Sequence, residues 1–341
     1  MSSIAIIGAG MSGLAAAHTL RDAGHSVVIF EKSYAPGGRA TTRKRAGFIY
    51  DHGAQYIKRG SPASAALITE RFSSPDLLDI SKPVWTFDGQ GQIQKGDARQ
   101  NAEPKWSYRS GIVTLAERMA ADLDIHYETR ITRVQQGQPG WTLFTADGSS
   151  AGPFSHLLIT IPATQALELI AASALADDLR RTITTHLAQA SYNPLISVML
   201  GYHPAPRTRP YYALVNTDKQ HAISWLAWEH EKAPERAPAG AGLLIAQMAP
   251  QYSQDHYTTP DEDVISDVAR RVSALIGESL PAPIFTDLQY WRYALPGARA
   301  DADALNSATI PAGLAFCGDA FVGGRVHLAL EHGIAIARQL A

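Results

Sequence analysis

The run from Ile4 to Ile7 is apolar without a break, the pattern of a strand buried on both faces. Three glycines follow, Gly8, Gly10 and Gly13, and the apolar positions after them predict a helix that stops near Gly24. A second apolar run, Val27 to Phe30, predicts another buried strand and ends in Glu31. Farther on, Ile112, Leu115, Ala116 and Met119 recur at helical spacing and predict an amphipathic helix over 111–121. Residues 125–128, 131–134, 141–145 and 154–161 read as successive strands, with a turn at Asp147-Gly148 and a stop at Pro162.

The second half carries elements without an obvious motif. Residues 166–187 read as mostly helical, and 195–200, 211–215, 222–228 and 243–248 as strands. Ile223, Trp225 and Ala227 alternate with other residues, which predicts a sheet with one face on a core or a pocket. Thr259-Pro-Asp-Glu262 has the form of a capping box with proline at the first helical position, opening a helix that ends at Gly277. Residues 230–240 form a polar, proline-rich loop. A strand over 285–293, a buried strand ending at Gly318-Asp319 and a final amphipathic helix complete the chain. Residues 57–105 shift toward Gly, Ser, Pro and Lys with weak periodicity, which predicts an excursion into a second unit.

A length of 341 residues exceeds the usual single core and predicts two domains. Apolar residues at 45% and charged ones at 18% describe a globular protein with no disordered excess. A net charge of −2 offers no general attraction to nucleic acid or to an anionic membrane. The single cysteine, Cys317, excludes an internal disulfide and a cysteine metal cluster, and fits a reducing compartment. No apolar run reaches about eighteen residues, so no membrane span is predicted, and the first apolar run is already a strand rather than a leader. A cytoplasmic location is the expectation. His327, His332 and the other histidines lack ligand spacing, so no metal is expected, and nothing in the pattern bears on oligomeric state.

The first strand, the glycine triplet and the acid that follows Gly8 by about 20 residues make the β-α-β grip of a dinucleotide. Gly8 permits the tight turn, Gly10 lets a pyrophosphate approach the backbone, and Gly13 lets the helix pack on the strand. The helix start, with Ser12 in its first turn, faces the phosphates, and Glu31, with Lys32 beside it, meets an adenosine ribose. Next comes Ala35-Pro-Gly-Gly-Arg-Ala40, where Gly38 brings the backbone near a phosphate and Arg39 can pair with it as a planar fork.

At that segment the chain resembles the flavin amine oxidase superfamily, and the resemblance spans nearly its whole length. It implies FAD rather than NAD as the bound cofactor, with Gly38 and Arg39 on the pyrophosphate. The stretch Tyr50-Asp-His-Gly-Ala-Gln-Tyr56 looks like the segment beside the isoalloxazine, which implies Gln55 and Tyr56 at the flavin ring. Val134 is implied against the adenine, Gly318 and Asp319 at the ribityl hydroxyls, and the Val326 amide at the pyrimidine oxygen. The implied fold is α/β: a Rossmann-like FAD-binding domain of the glutathione-reductase type, with an inserted α+β substrate domain on a mixed or antiparallel sheet. Residues 1–56, 106–162 and 284–341 are expected in the former, 57–105 and 163–283 in the latter. No cysteine stands where covalent flavin attachment occurs in the superfamily, so the FAD is expected to be noncovalent.

Many amine oxidases keep a lysine beside flavin N5, yet after Trp106 the only lysines here are Lys219 and Lys232, both in predicted loops. Trp291-Arg-Tyr-Ala and Gly323-Gly-Arg-Val-His-Leu look most like the renalase branch, particularly its bacterial members. That likeness implies oxidation of 1,2- and 1,6-dihydro isomers of NAD(P), with hydride transfer to flavin N5 and reoxidation by dioxygen to give hydrogen peroxide. A dihydropyridine needs no proton removed first, so no catalytic acid or base is expected. A dinucleotide needs cations and flat rings, for which Ile57, Lys58, Arg59, Gly60, Ser61, Lys95, Thr164, Trp291, Arg292 and Tyr293 are the candidates. The rival reading is an amine or polyamine oxidase with Glu229, Trp225 and Trp228 around the amine. A desaturase of hydrophobic substrates and a flavin-binding protein without turnover are further alternatives.

Overall fold

The computed structural model describes residues 1–341. Five parallel strands form one sheet in the order Asp124–His126, Ser26–Phe30, Ser3–Ile7, His156–Ile159 and Leu314–Phe316. The first strand is central, which explains why Ile4, Ala5 and Ile6 are fully buried. Helix Met11–Asp22 follows the glycine turn and lies beneath the last helix, Val326–Leu340. Both contacts depend on glycine. A Cβ on Gly13 would come within 2.1 Å of the Gly8 carbonyl oxygen, and one on Gly333 within 2.2 Å of the Ser12 carbonyl oxygen.

The second large sheet has seven strands in the order Phe285–Ala298, Ser191–Tyr202, Gly242–Met248, Ile223–Trp228, Ala213–Asn216, Val84–Phe87 and Ile93–Gln94. It is mixed, because Ala213–Asn216 runs parallel to Val84–Phe87 while its other pairs are antiparallel. Helix Asp261–Ile276 covers it with Val264, Val268 and Val272, one residue per turn, each fully buried and each contributing about 1.5 kcal/mol or more.

Three boundaries differ from the sequence reading. Strand Phe285–Ala298 was expected with the cofactor unit, but it pairs with Ser191–Tyr202 along most of its length. Helices Ala163–Ala171 and Asp177–Leu187, expected in the substrate unit, pack their apolar stripes on Val134, Leu143, Leu157 and Ile159. Periodicity reveals that a face is apolar, and the facing surface decides where it docks. The expected capping box is absent as well: Pro260 occupies the cap position without a side-chain cap, and Asp261, Glu262 and Asp263 meet the positive helix end instead.

Candidate functional site

The glycine turn is built tightly on its own strand. Gly8 adopts φ +108°, and its N–H donates to the Phe30 carbonyl at 2.9 Å. Glu31 is buried and already holds two amides, Ala9 N–H on Oε2 and Ser33 N–H on Oε1, both at 2.8 Å. Those bonds fix the carboxylate beside the turn. Gly37 N–H donates to the Ala9 carbonyl at 2.9 Å, which lays Gly38 against Gly10, while Lys32 points to solvent. A Cβ on Gly10 would meet no protein atom within 4 Å, so open space lies in front of the turn. Helices Met11–Asp22 and Val326–Leu340 both begin without a side-chain cap, leaving first-turn amides for an anion or a carbonyl.

The two ends of the chain meet at Arg39 and Asp319. Arg39 donates Nη1 to Oδ2 and Nη2 to Oδ1, each at 2.7 Å, and Nη1 also reaches the Tyr293 carbonyl at 2.8 Å. The Tyr192 hydroxyl donates to Asp319 Oδ1 at 3.2 Å. The sequence reading gave Arg39 to a phosphate and Asp319 to sugar hydroxyls; here the fork of one matches the carboxylate of the other. Ser12 lies under the same turn, its Oγ 3.5 Å from where a Gly318 Cβ would stand.

The segment 50–56 forms a wall whose ionic content the sequence hid. Lys232 and Arg236, read as loop cations, have fully buried side chains. Lys232 Nζ lies 3.1 Å from Asp51 Oδ2 and 2.9 Å from Glu229 Oε2, and Arg236 bonds to both carboxylates. Thr42 Oγ1 and the Ile112 N–H donate to Asp51 Oδ1 at 2.7 and 2.9 Å. Burial opposes the Asp51 charge, but Arg236 and Lys232 outweigh it and hold the carboxyl well below its ordinary value. For Glu229 burial prevails over Lys232 and Arg236, and the carboxyl is raised. A polar loop pattern predicts solvation; here opposite charges in balance allow the loop to turn inward.

Gln55 is drawn into this cluster, with Oε1 accepting from Lys232 Nζ at 3.4 Å and Nε2 donating to the Asp51 carbonyl. Trp291 stacks on His52 with ring centroids 5.5 Å apart and donates Nε1 to the His52 carbonyl at 3.0 Å. Burial, aided by Arg43, lowers His52 to about 4. Tyr56 approaches Trp225 at 6.1 Å between centroids, and Trp225 meets Tyr212 at 6.0 Å. The expected amine cage does not form. Trp228 is fully buried in the core of the large sheet, and Glu229 is committed to the buried cations.

The other expected contacts divide. Ile57 is fully buried in the core beneath the parallel sheet, so it is packing and not a ligand contact. Lys58 lies 3.8 Å from Glu103, and Arg59 is exposed. Ser61 and Ser64 anchor Glu331 of the last helix, with Ser61 N–H donating to Glu331 Oε1 at 2.5 Å and Ser64 Oγ at 2.8 Å, and Gly60 leaves the space that a Cβ would take from that carboxylate. Lys95 is exposed beside Ile93–Gln94, the outermost strand of the large sheet. Lys105 turns inward to the Asn101 carbonyl at 3.2 Å. Val134 is fully buried and its N–H is taken by Ser173 Oγ at 2.8 Å, so neither its side chain nor its amide faces a ligand. The Val326 side chain also packs inward, which leaves its amide as the available group. Thr164, Arg292 and Tyr293 do come together, around a cavity of about 410 Å³ that Tyr192, Pro194, Gln254 and Tyr257 complete.

The profile of flavin-containing amine oxidoreductases matches residues 86–341, three quarters of the chain. The chain belongs to that family. A profile of NAD(P)-binding Rossmann-like domains matches residues 6–70. A flavin-containing monoamine oxidase, AofH, of Mycobacterium tuberculosis is 34% identical over 137 residues, 40% of this chain and 27% of that protein. A 4,4'-diapophytoene desaturase of Staphylococcus haemolyticus is 52% identical over 85 residues, 25% of this chain and 17% of the relative. The matches thus span about a quarter or less of these relatives' own length. A crystal structure from Exiguobacterium described as a protoporphyrinogen oxidase superposes with a TM-score of 0.78 at 14% identity, covering 99% of this chain and 98% of that one.

FAD is the cofactor of this flavin amine oxidoreductase. The open space at Gly10, the two uncapped helix starts and the seated Glu31 carboxylate fit a dinucleotide's phosphates and ribose. Cys317 is buried and its thiol is pushed up to about 12 by burial, so it offers no thiolate for a covalent link. No helix of this family member is long and apolar enough to cross a membrane.

Proposed function

We propose that this flavin-dependent oxidoreductase is an oxidase of misreduced nicotinamide dinucleotides, the 1,2- and 1,6-dihydro isomers of NAD(P). The observation that carries the reading is the state of the ionisable groups along 50–56. Lys232 is held in ion pairs between Asp51 and Glu229, burial lowers His52 to about 4 and leaves its imidazole a weak base, and burial raises Tyr56 and Tyr212. None of them stands ready to take a proton from a substrate at neutral pH. A dihydropyridine needs no such group, because it releases a hydride from C2 or C6 and becomes an aromatic cation. FAD, when bound, takes that hydride and passes two electrons to dioxygen, so that dihydro-NAD(P), O2 and one proton become NAD(P)+ and H2O2.

The chain's own contribution in this reading is holding. Gly10 and Gly38 make room for the pyrophosphate, Glu31 meets the ribose, and the tilted pair of Tyr56 and Trp225 offers flat surface to a nicotinamide. The parallel sheet and its helices serve as the cofactor-binding unit, and the seven-stranded sheet as the substrate unit.

The second reading is an amine oxidase, favoured by the buried Lys232 beside Gln55. Anaerobic mixing of the FAD-loaded protein with dihydro isomers and with mono-, di- and polyamines, followed near about 450 nm, separates the two. Bleaching by the isomers alone is expected. Bleaching by an amine with none by the isomers overturns the proposal, and no bleaching by either class makes the chain a flavin-binding protein without turnover.

A further inference from the structure

The cavity beside the Arg39–Asp319 pair has a composition of its own. Its volume, about 410 Å³, falls in the range of small-molecule sites. Three tyrosines border it. Tyr192 meets Tyr293 edge-on at 5.8 Å between centroids, and Tyr257 is braced edge-on against Tyr290 at 5.4 Å. Arg292 lines the same space, is exposed, and forms no ion pair within the chain. Thr164 stands in the first turn of helix Ala163–Ala171, which begins without a side-chain cap, so the positive end of a nine-residue helix adds to Arg292. Gln254 supplies an amide that both donates and accepts. Tyr192 connects the cavity to the clasp, since its hydroxyl accepts from Ala163 N–H at 3.3 Å and donates to Asp319 at 3.2 Å.

A free guanidinium, a helix start, flat phenol rings and one amide recognise an anion attached to a planar heterocycle. We propose that this cavity binds the adenylate half of the dinucleotide substrate, with the phosphate on Arg292 and the Ala163–Ala171 helix start, and the purine against Tyr257 or Tyr293. The inference rests on the proposed dihydro-NAD(P) reading for the identity of the rest of the ligand. Glu31 and the glycine turn are the groups that would hold the cofactor's own adenosine, so this is a second nucleotide site.

Two measurements on the FAD-loaded protein test it. Calorimetric titration with AMP should show one site, weakened about tenfold or more by Arg292→Ala and partly restored by Arg292→Lys. In kinetics, the ratio of KM for a dihydro dinucleotide to KM for the matching dihydro mononucleotide should rise about tenfold in Arg292→Ala. AMP that binds Arg292→Ala as tightly as the parent, or does not bind the parent, overturns the proposal. If no dihydro isomer bleaches the flavin while AMP binding still depends on Arg292, the functional reading falls and a nucleotide site stands. If the isomers do bleach it and that KM ratio does not move, the functional reading stands and the adenylate site falls.

Discussion

Arg39 and Asp319 stand 280 positions apart and meet as a paired fork, two hydrogen bonds of 2.7 Å each. The first joins the segment after Glu31, the second opens the turn before the last helix, and both glycine-rich ends are thereby held on one side of the parallel sheet. The same arginine ties down the Tyr293 and Ala294 carbonyls, so the long strand of the large sheet is fastened to the same point.

Arg39→Lys should loosen this joint, because an ammonium cannot make two parallel bonds to one carboxylate. The Arg39 side chain is 30% exposed, so the loss is about 1–2 kcal/mol rather than the value for a dry ion pair. Thermal melting and the flavin retained after gel filtration should both decline. A variant that melts and retains FAD like the parent would show that the clasp is incidental.

Gly10→Ala and Gly13→Ala should part company. The new methyl at 13 would lie 2.1 Å from the Gly8 carbonyl oxygen and must displace the helix, so stability and FAD are both lost. At 10 it meets no protein atom within 4 Å, so the apo-protein should melt normally while FAD affinity drops. Normal FAD affinity in Gly10→Ala would mean that the pyrophosphate lies elsewhere.

Lys232→Met leaves Asp51 and Glu229 with only Arg236 between them, all fully buried. Removing one member of such a group costs about 3–5 kcal/mol. Adding Glu229→Gln restores charge balance and should recover part of the melting temperature. If the single variant melts like the parent, Lys232 does not occupy the buried position.

Acid should destabilise the fold through its buried histidines. Burial lowers His52 from 6.5 to about 4, and it lowers His18, His230 and His332 as well. Between those values the unfolded chain carries a proton on His52 that the folded chain lacks, so stability is complete above about 6.5 and falls as pH drops toward about 4. The His52 share reaches about 3 kcal/mol at the acid end. His52→Phe, which keeps a ring against Trp291, should flatten the melting temperature between pH 7 and pH 5; an unchanged slope would assign the effect elsewhere.

What the sequence by itself determined is local. The unbroken run at Ile4–Ile7, the spacing of Gly8, Gly10 and Gly13 and the acid at Glu31 each depend on neighbours a few residues away, so the β-α-β turn and its preference for a dinucleotide were legible. Five of the seven strands of the large sheet were legible from their apolar runs or alternation for the same reason, whereas Val84–Phe87 and Ile93–Gln94 lie in a stretch of weak periodicity and were not. Tertiary structure decided whatever depended on partners distant in the chain. Lys232 and Arg236 look like solvated loop cations until Asp51, some 180 positions earlier, provides the opposite charge that lets them be buried. Val134 and Ile57 became core because other elements close over them, and Phe285–Ala298 joined the large sheet because its hydrogen bonds are satisfied along Ser191–Tyr202. Residue type and spacing set what a side chain is able to do; desolvation and pairing, which require the whole fold, set what it does.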